Sequence, residues 1–347
     1  MAAKISRAWA AALAAIVAMI AMNPPAFADG KPAKALFGAE KLPTQASPSS
    51  FGFYSKGCVA GAVAIPTDGP TWQAMRLSRN RRWGHPELIA LLERLSQDGA
   101  KYDGWPGLLL GDISQPRGGP MVSGHASHQV GLDADIWLTP MPPRTLTANE
   151  RETISATSML KKNARLTVDD RIWTPAHARI IMRAASYPQV ERIFVNPSIK
   201  KKLCETWTGD RSNLGKVRPY YGHDYHFHVR IKCPEGSPGC KAQAAVPAGD
   251  GCGKPLAWWY SDEPWAPAKK DPNAKPAPKP KPMQVSDLPK ACSVVLEGKA
   301  ASSEAAATFR GGSGMVSYSA SSSPADAQYD VMLPAVVPLP LPRPMQQ

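Results

Sequence analysis

Five of the seven histidines in this 347-residue chain fall in two short clusters, and histidines gathered this way with carboxylates point to a metal site. The first cluster reads Gly124-His125-Ala126-Ser127-His128-Gln129-Val130-Gly131-Leu132-Asp133-Ala134-Asp135; the second reads Gly222-His223-Asp224-Tyr225-His226-Phe227-His228. Imidazole nitrogen and carboxylate oxygen both suit zinc, which at a catalytic site takes three protein ligands and keeps one position for solvent. His128, Asp135 and His228 make such a set, although the same donors also suit iron or manganese. Bound zinc would lower the pKa of a water molecule and polarise a carbonyl, the requirements of hydrolysis. A neighbouring histidine titrates near neutrality and can then carry the proton or stabilise the oxyanion. His226 is the first choice for that role, and His223 the second.

The bland alternatives are a structural role for each histidine on its own. A lone histidine in an aromatic stretch is more often a satisfied core residue, but two aligned clusters reverse that judgement. His85 stands at a helix start and reads as a capping or surface residue; His177 reads as an ordinary helical one. Asp133 could orient a ligand histidine or bind some other donor, and Asp170 reads as solvated surface. The chain has no HExxH to supply a helix-borne glutamate base, which favours a histidine base. It has no GxSxG nucleophile elbow either, and no Gly-rich phosphate loop follows a strand in the required way.

Elements that hold these residues can be read from periodicity. Leu132 to Leu138 alternates, with Leu132, Ala134, Ile136 and Leu138 on one face and Asp133, Asp135 and Trp137 on the other. Tyr225 to Ile231 alternates likewise, its apolar face Tyr225, Phe227, Val229 and Ile231, its polar face His226, His228 and Arg230. Helices are predicted over 85–98, where Pro86 suits the first turn and Leu88, Ile89, Leu91, Leu92 and Leu95 keep helical spacing, and from Pro175 to about Pro188. Val190 to Val195 reads as a strand and Pro197 to Trp207 as a short helix.

The remainder bounds compartment and organisation. Lys4 and Arg7, the apolar run Ala8 to Met22 and the small-x-small stretch Ala26-Phe27-Ala28 make 1–28 a secretory signal. The alternative, an uncleaved anchor, is disfavoured because the run is shorter than the roughly 20 residues that cross a bilayer. The chain carries +13, and the two positive charges of the signal leave +11 on the mature part. Nucleic acid is a poor partner for an exported protein, so an anionic envelope or peptidoglycan fits that charge better. Six cysteines in an oxidising compartment predict three disulfides, with the pairing left open.

Residues 29–50 read as a flexible lead-in, 51–245 as a single α+β peptidase domain, 246–297 as a Pro-rich segment fastened by disulfides, and 298–347 as a disordered tail. Sixteen of the 36 prolines lie between Pro247 and Pro344, and Lys/Pro/Ala alternation over 267–282 favours extended conformations with little to bury.

At both clusters the chain resembles the penicillin-insensitive murein endopeptidases, periplasmic metallopeptidases of the LAS type. The stretches that carry the resemblance are GHASHQVGLDADIWL at 124–138, RIFVNPSIK at 192–200 and KVRPYYGHDYHFHVRIKCP at 216–234, and it extends over about residues 50–295. The resemblance implies His128, Asp135 and His228 as zinc ligands, His226 as the catalytic histidine of a His-x-His pair, and His223 as a further active-site histidine. It links His125 with the metal centre, as a fourth contact or a catalytic neighbour. It implies the disulfides Cys58–Cys292, Cys204–Cys252 and Cys233–Cys240, and a small antiparallel sheet with flanking helices that presents the ligands. The reaction it implies is hydrolysis of D-alanyl–meso-diaminopimelyl cross-links in peptidoglycan, insensitive to penicillin because no serine acyl-enzyme forms. A D,D-carboxypeptidase or amidase with the same metal geometry, and a wall-binding protein whose metal is structural, are the competing readings. The oligomeric state, a dimer included, stays open.

Overall fold

The computed structural model describes residues 30–164, 166–267 and 281–311. The signal reading of 1–28, most of the Lys/Pro/Ala alternation and the tail beyond 311 lie outside those residues.

Two helices carry the apolar periodicity that the sequence shows. Pro86–Tyr102 begins with proline in its first turn, and His85 caps it by accepting the Glu87 N–H on Nδ1. Leu88, Ile89, Leu92 and Leu95 are fully buried on its inner face. Pro175–Ser186 buries Ile180, Ile181, Ala184 and Ala185. The two helices approach closely at Gly99, where a Cβ would meet Ile180 Cδ1 at 2.6 Å. His177 is structural: its Nδ1 accepts the Thr174 N–H at 3.0 Å and its Nε2–H donates to Leu138 O at 3.1 Å.

The site rests on a seven-stranded sheet. Its spatial order is Val217–Pro219, Val190–Val195, His226–Ile231, Asp133–Trp137, Leu108–Leu110, Trp72–Ala74 and Asp68–Gly69. The expected small antiparallel sheet is therefore corrected to a larger, mixed one. Val190–Val195 pairs parallel with Val217–Pro219, and Trp72–Ala74 parallel with Leu108–Leu110. The cause is connectivity. Parallel neighbours need a crossover, and the helices Pro197–Thr206 and Pro86–Tyr102 lie between the members of the two pairs in sequence.

The two histidine-bearing and carboxylate-bearing strands pair antiparallel at the middle of this sheet. Register sets His226 opposite Trp137, His228 opposite Asp135 and Arg230 opposite Asp133, so cross-strand partners share a face. Phe227, Val229, Ile231, Ala134 and Ile136 fill the other face and are fully buried. The polar face is buried as well: Asp133 is inaccessible, and Asp135, His226, His228 and Arg230 are each at most 7% exposed. Tyr225 departs from the expected apolar face. It precedes the strand and is 43% exposed.

The expected flexible lead-in is also corrected. Ala33–Ala39 is helical with Ala33 and Phe37 buried, and Ser49–Phe53 forms a hairpin with Lys56–Ala60. Phe37 is received by Gly119, a glycine at φ +75 where a Cβ would strike the ring at 2.2 Å. The start of the expected tail is structured too. Ala300 bridges Thr44, the Phe309 N–H bonds Ala64 O at 2.8 Å, and Ala307 is buried. Arg117 secures the preceding helix Ala291–Glu297 by donating to Val295 O and Leu296 O. The disulfides are Cys58–Cys292, Cys204–Cys252 and Cys233–Cys240, the pairing that the resemblance implies. Cross-links across long separations restrict the unfolded chain most, and Cys58–Cys292 spans 234 residues.

Candidate metal centre

Four histidine nitrogens converge on the Asp135 carboxylate. His228 Nδ1 lies 3.2 Å from Oδ1, His128 Nε2 3.4 Å and His226 Nε2 3.5 Å, while His125 Nδ1 lies 3.5 Å from Oδ2. The donor atoms of His125, His128 and Asp135 all fall within 4.8 Å of one another. His228 joins them from the neighbouring strand as the register partner of Asp135.

The outer nitrogens of three of these rings determine what the inner ones present. His128 Nδ1 is 2.6 Å from Ile113 O, an acceptor only, so Nδ1 carries the proton and Nε2 turns a lone pair toward Asp135. His228 Nε2 is 3.0 Å from Asp133 Oδ1, which leaves Nδ1 as its lone pair. His125 Nε2 is 3.0 Å from Asp112 Oδ2, with the same consequence for its Nδ1. Three lone pairs facing one carboxylate repel unless a cation stands among them. His128 Nε2 and Asp135 Oδ1 are buried without a hydrogen-bond partner, as a centre built around a cation requires. Outer-nitrogen bonds to carboxylate or carbonyl are also how metal-bound histidines are oriented. The residues present fit a divalent metal.

His226 differs. Its Nδ1 is buried without a partner, so no outer acceptor fixes its tautomer. Burial pulls its pKa below the ordinary histidine value, opposed by Asp135 and reinforced by the other histidines. His223 sits beside it with ring centroids 4.9 Å apart, and its Nδ1–H donates to Tyr221 O at 2.7 Å. Burial, helped by His226 and His228, takes its pKa down to about 3.

Backbone conformation at the centre is specialised. His128 and His223 adopt left-handed φ values of 66° and 55°, which a non-glycine residue holds only when its surroundings impose it. For His128 they do. Its N–H donates to Asp133 Oδ2 at 3.0 Å, and its carbonyl accepts from Ser114 Oγ at 2.6 Å.

Asp133 organises the whole polar face. Besides His128 and His228 it accepts from Arg230 Nε at 2.7 Å and Nη2 at 3.2 Å. Burial would raise its pKa, but Arg230 and His228 hold it below the ordinary carboxylate range. Burial would likewise raise Asp135, but His226, His128 and His125 hold it well below that range. Burial draws His228 down, but Asp133 and Asp135 carry it above the ordinary histidine value, so the carboxylates favour positive charge at Nδ1, which a metal ion would supply in place of a proton. Arg230 also stacks over Tyr54 at 4.0 Å. Removing one partner of a buried ion pair leaves a desolvated charge, so Asp133→Ala is expected to lose about 3–5 kcal/mol of stability. Urea unfolding reads this; a loss below about 1 kcal/mol would show that Arg230 and the histidines do not depend on Asp133.

The centre opens into a cleft of about 590 Å³ lined in part by His125, Asp135 and His226, together with Tyr225 and Trp137. Sequence reasoning missed Asp112 and the arginines Arg76, Arg79 and Arg81 of the same lining. The available signals were a carboxylate just past the buried Leu108–Leu110 strand and the basic run Met75-Arg76-Leu77-Ser78-Arg79-Asn80-Arg81-Arg82. Asp112 binds His125, and burial would raise its pKa, but His125 and Arg81 hold it at about 2. Asp170 is an exposed residue paired with Lys202 at 2.7 Å, as its surface reading expects.

A mixed α/β frame that gathers imidazoles around a buried carboxylate, beside an open cleft, has the donor set of a hydrolytic metal centre. Comparison with known proteins supplies the family. The model of the penicillin-insensitive murein endopeptidases matches residues 50–297, and the chain belongs to that family. The penicillin-insensitive murein endopeptidase of Haemophilus influenzae is 49% identical over 212 residues, 61% of this chain and 73% of that protein. Those of Klebsiella pneumoniae and Pectobacterium atrosepticum are 39% and 40% identical over 255 residues, 74% of this chain and 88% and 86% of theirs. Among the described residues, no helix is long and apolar enough to cross a membrane.

Proposed function

We propose that the chain is a periplasmic zinc endopeptidase with a LAS-type core that hydrolyses D-alanyl–meso-diaminopimelyl cross-links in peptidoglycan. The observation that carries the metal reading is the inward lone pairs of His125, His128 and His228 around Asp135. His128, Asp135 and His228 would hold the ion, with His125 as a further contact. Zinc, when bound, supplies the charge that acidifies water and polarises the scissile carbonyl. His226, whose Nε2 faces Asp135 at 3.5 Å, would take the proton from the attacking water and return it to the departing amine. His223, packed against His226, is assigned the supporting proton-handling position. Membership in a family of murein endopeptidases supports the substrate, and the basic mature chain suits an anionic wall.

Digestion of purified sacculi, with products identified by mass spectrometry, tests this reading. Cross-linked dimers are expected to disappear as monomers accumulate. Loss of terminal D-alanine alone would make it a carboxypeptidase, and sacculus binding without new products would make it a wall-binding protein.

A further inference from the structure

The cleft beside the metal centre has a wall of arginines that metal binding and proton transfer do not use. Arg76, Arg79 and Arg81 all line it, against only Asp112 and Asp135 as lining carboxylates. Their partners are unevenly shared. Arg76 commits both Nη atoms to backbone carbonyls, Arg151 O at 2.9 Å and Ile154 O at 2.7 Å, and lies over the Trp137 ring at 5.3 Å. Arg81 and Arg79 both bond one oxygen, Asp112 Oδ2, at 2.8 and 3.1 Å, and His125 Nε2 reaches that same oxygen at 3.0 Å. Asp112 thus serves two guanidiniums while the third hydrogen-bonds only neutral carbonyls, and Glu152, outside the lining, attracts Arg76 and Arg79 from behind. Within the cleft lining itself the arginines outnumber the carboxylates three to two, a surplus that faces the cleft.

Arg79 is the member able to use that surplus. Its side chain is 48% exposed, whereas that of Arg81 is 9% exposed, with its remaining Nη on Ser123. The turn that carries Arg79 is fixed. Leu77–Arg79 is bracketed by Arg76 and Asn80 in left-handed conformations at φ 55° and 52°. Ser78 anchors the outside of this turn by donating its N–H and Oγ–H to Glu152, which is outside the cleft lining. Asn80 is pinned by Trp83 Nε1 and by its own bond to Lys41 O. A half-exposed guanidinium on a fixed turn loses little entropy on meeting a planar anion, and its fork matches the two oxygens of a carboxylate.

We propose that Arg79, backed by Arg76 and Arg81, is a carboxylate-binding subsite that selects the anionic side of the cross-link. It rests on the reading of this cleft as the peptidoglycan site. In a D-alanyl–meso-diaminopimelyl link, the carbon bearing the scissile amide nitrogen also bears a free carboxylate, so an anion lies next to the bond to be cut. Arg79 reaches the reacting centre through consecutive contacts, Asp112 to His125 and His125 to Asp135. Arg79 is a specificity residue; it takes no part in bond breaking.

The test uses purified cross-linked dimers in which that carboxyl is free or amidated. In the wild type, amidation is expected to raise KM about tenfold, the lower end for loss of a bond to a charged group, with kcat little changed. Arg79→Ala should raise KM for the free acid by the same factor and leave the amide's KM where it was, so that the two losses do not add. Arg79→Lys, which keeps charge but not the fork, should fall between. Equal effects of Arg79→Ala on both dimers, or no effect on either, would overturn the subsite. Titration calorimetry of both dimers onto a His226→Ala protein reads the same preference without turnover. An Arg79-dependent preference there, in a protein whose wild type cuts neither dimer, would uphold the subsite and refute the cleavage assignment. Equal binding of the two dimers would do the reverse wherever cleavage is seen.

Discussion

Replacing His228 with alanine is expected to remove the metal and nearly all turnover together. His228 Nδ1 makes the nearest histidine approach to Asp135, and its ring is held for that approach by Asp133 at Nε2. Loss of the mere hydrogen-bonding partner of a ligand histidine costs about 10–100-fold in metal affinity or activity, so loss of a ligand should exceed that. The fold should survive, because Asp133 keeps both bonds from Arg230 and the N–H of His128. Metal content after gel filtration and cleavage of cross-linked muropeptides are the paired readouts. Near-wild-type turnover by a metal-free His228→Ala protein would contradict the assignment.

His226→Ala is expected to separate chemistry from metal binding. The ring has no outer acceptor fixing it as a ligand, and its buried Nδ1 has no partner. General acid–base catalysis contributes about 10²–10⁴-fold, and turnover should fall by that range while metal content stays near the wild-type level. Full turnover would remove His226 from the mechanism. Parallel loss of metal would instead place it among the ligands.

What the residues disclosed, and what they withheld, follows from the kind of information each position carries. Alternation along 225–231 and 132–138 reports which side chains share a face, so His226 with His228 and Asp133 with Asp135 were legible without a fold. Alternation says nothing about what covers that face. Asp135, His226 and His228 read as a polar side and are in fact enclosed. Tyr225 fitted the apolar phase yet lies before the strand and lines the cleft, because phase does not mark where a strand begins. The strands Trp72–Ala74 and Leu108–Leu110 are three residues each, too short to show a period, and the parallel pairing was lost with them.

Long-range partnerships were the least visible. Asp112 is positioned by the sheet beside His125, and local pattern around Leu108-Leu109-Leu110-Gly111-Asp112 does not announce it. The lead-in and residues 298–311 looked loose because each has few apolar residues of its own. They become ordered against each other and the body, through the Thr44–Ala300 bridge and the disulfide that ties Cys292 to Cys58. The cysteine pairing itself came from family resemblance, as did the preference for His128 over His125. The structure gives both histidines a donor nitrogen facing Asp135 and an outer partner, so His125 keeps its place beside the ligands.

Anomalous diffraction at the zinc edge, on crystals of the zinc-loaded protein, tests the central claim most directly. One peak is expected, bonded to His128 Nε2, the Asp135 carboxylate and His228 Nδ1, with His226 outside bonding distance. A peak held without His228, or no peak among these residues, would contradict it.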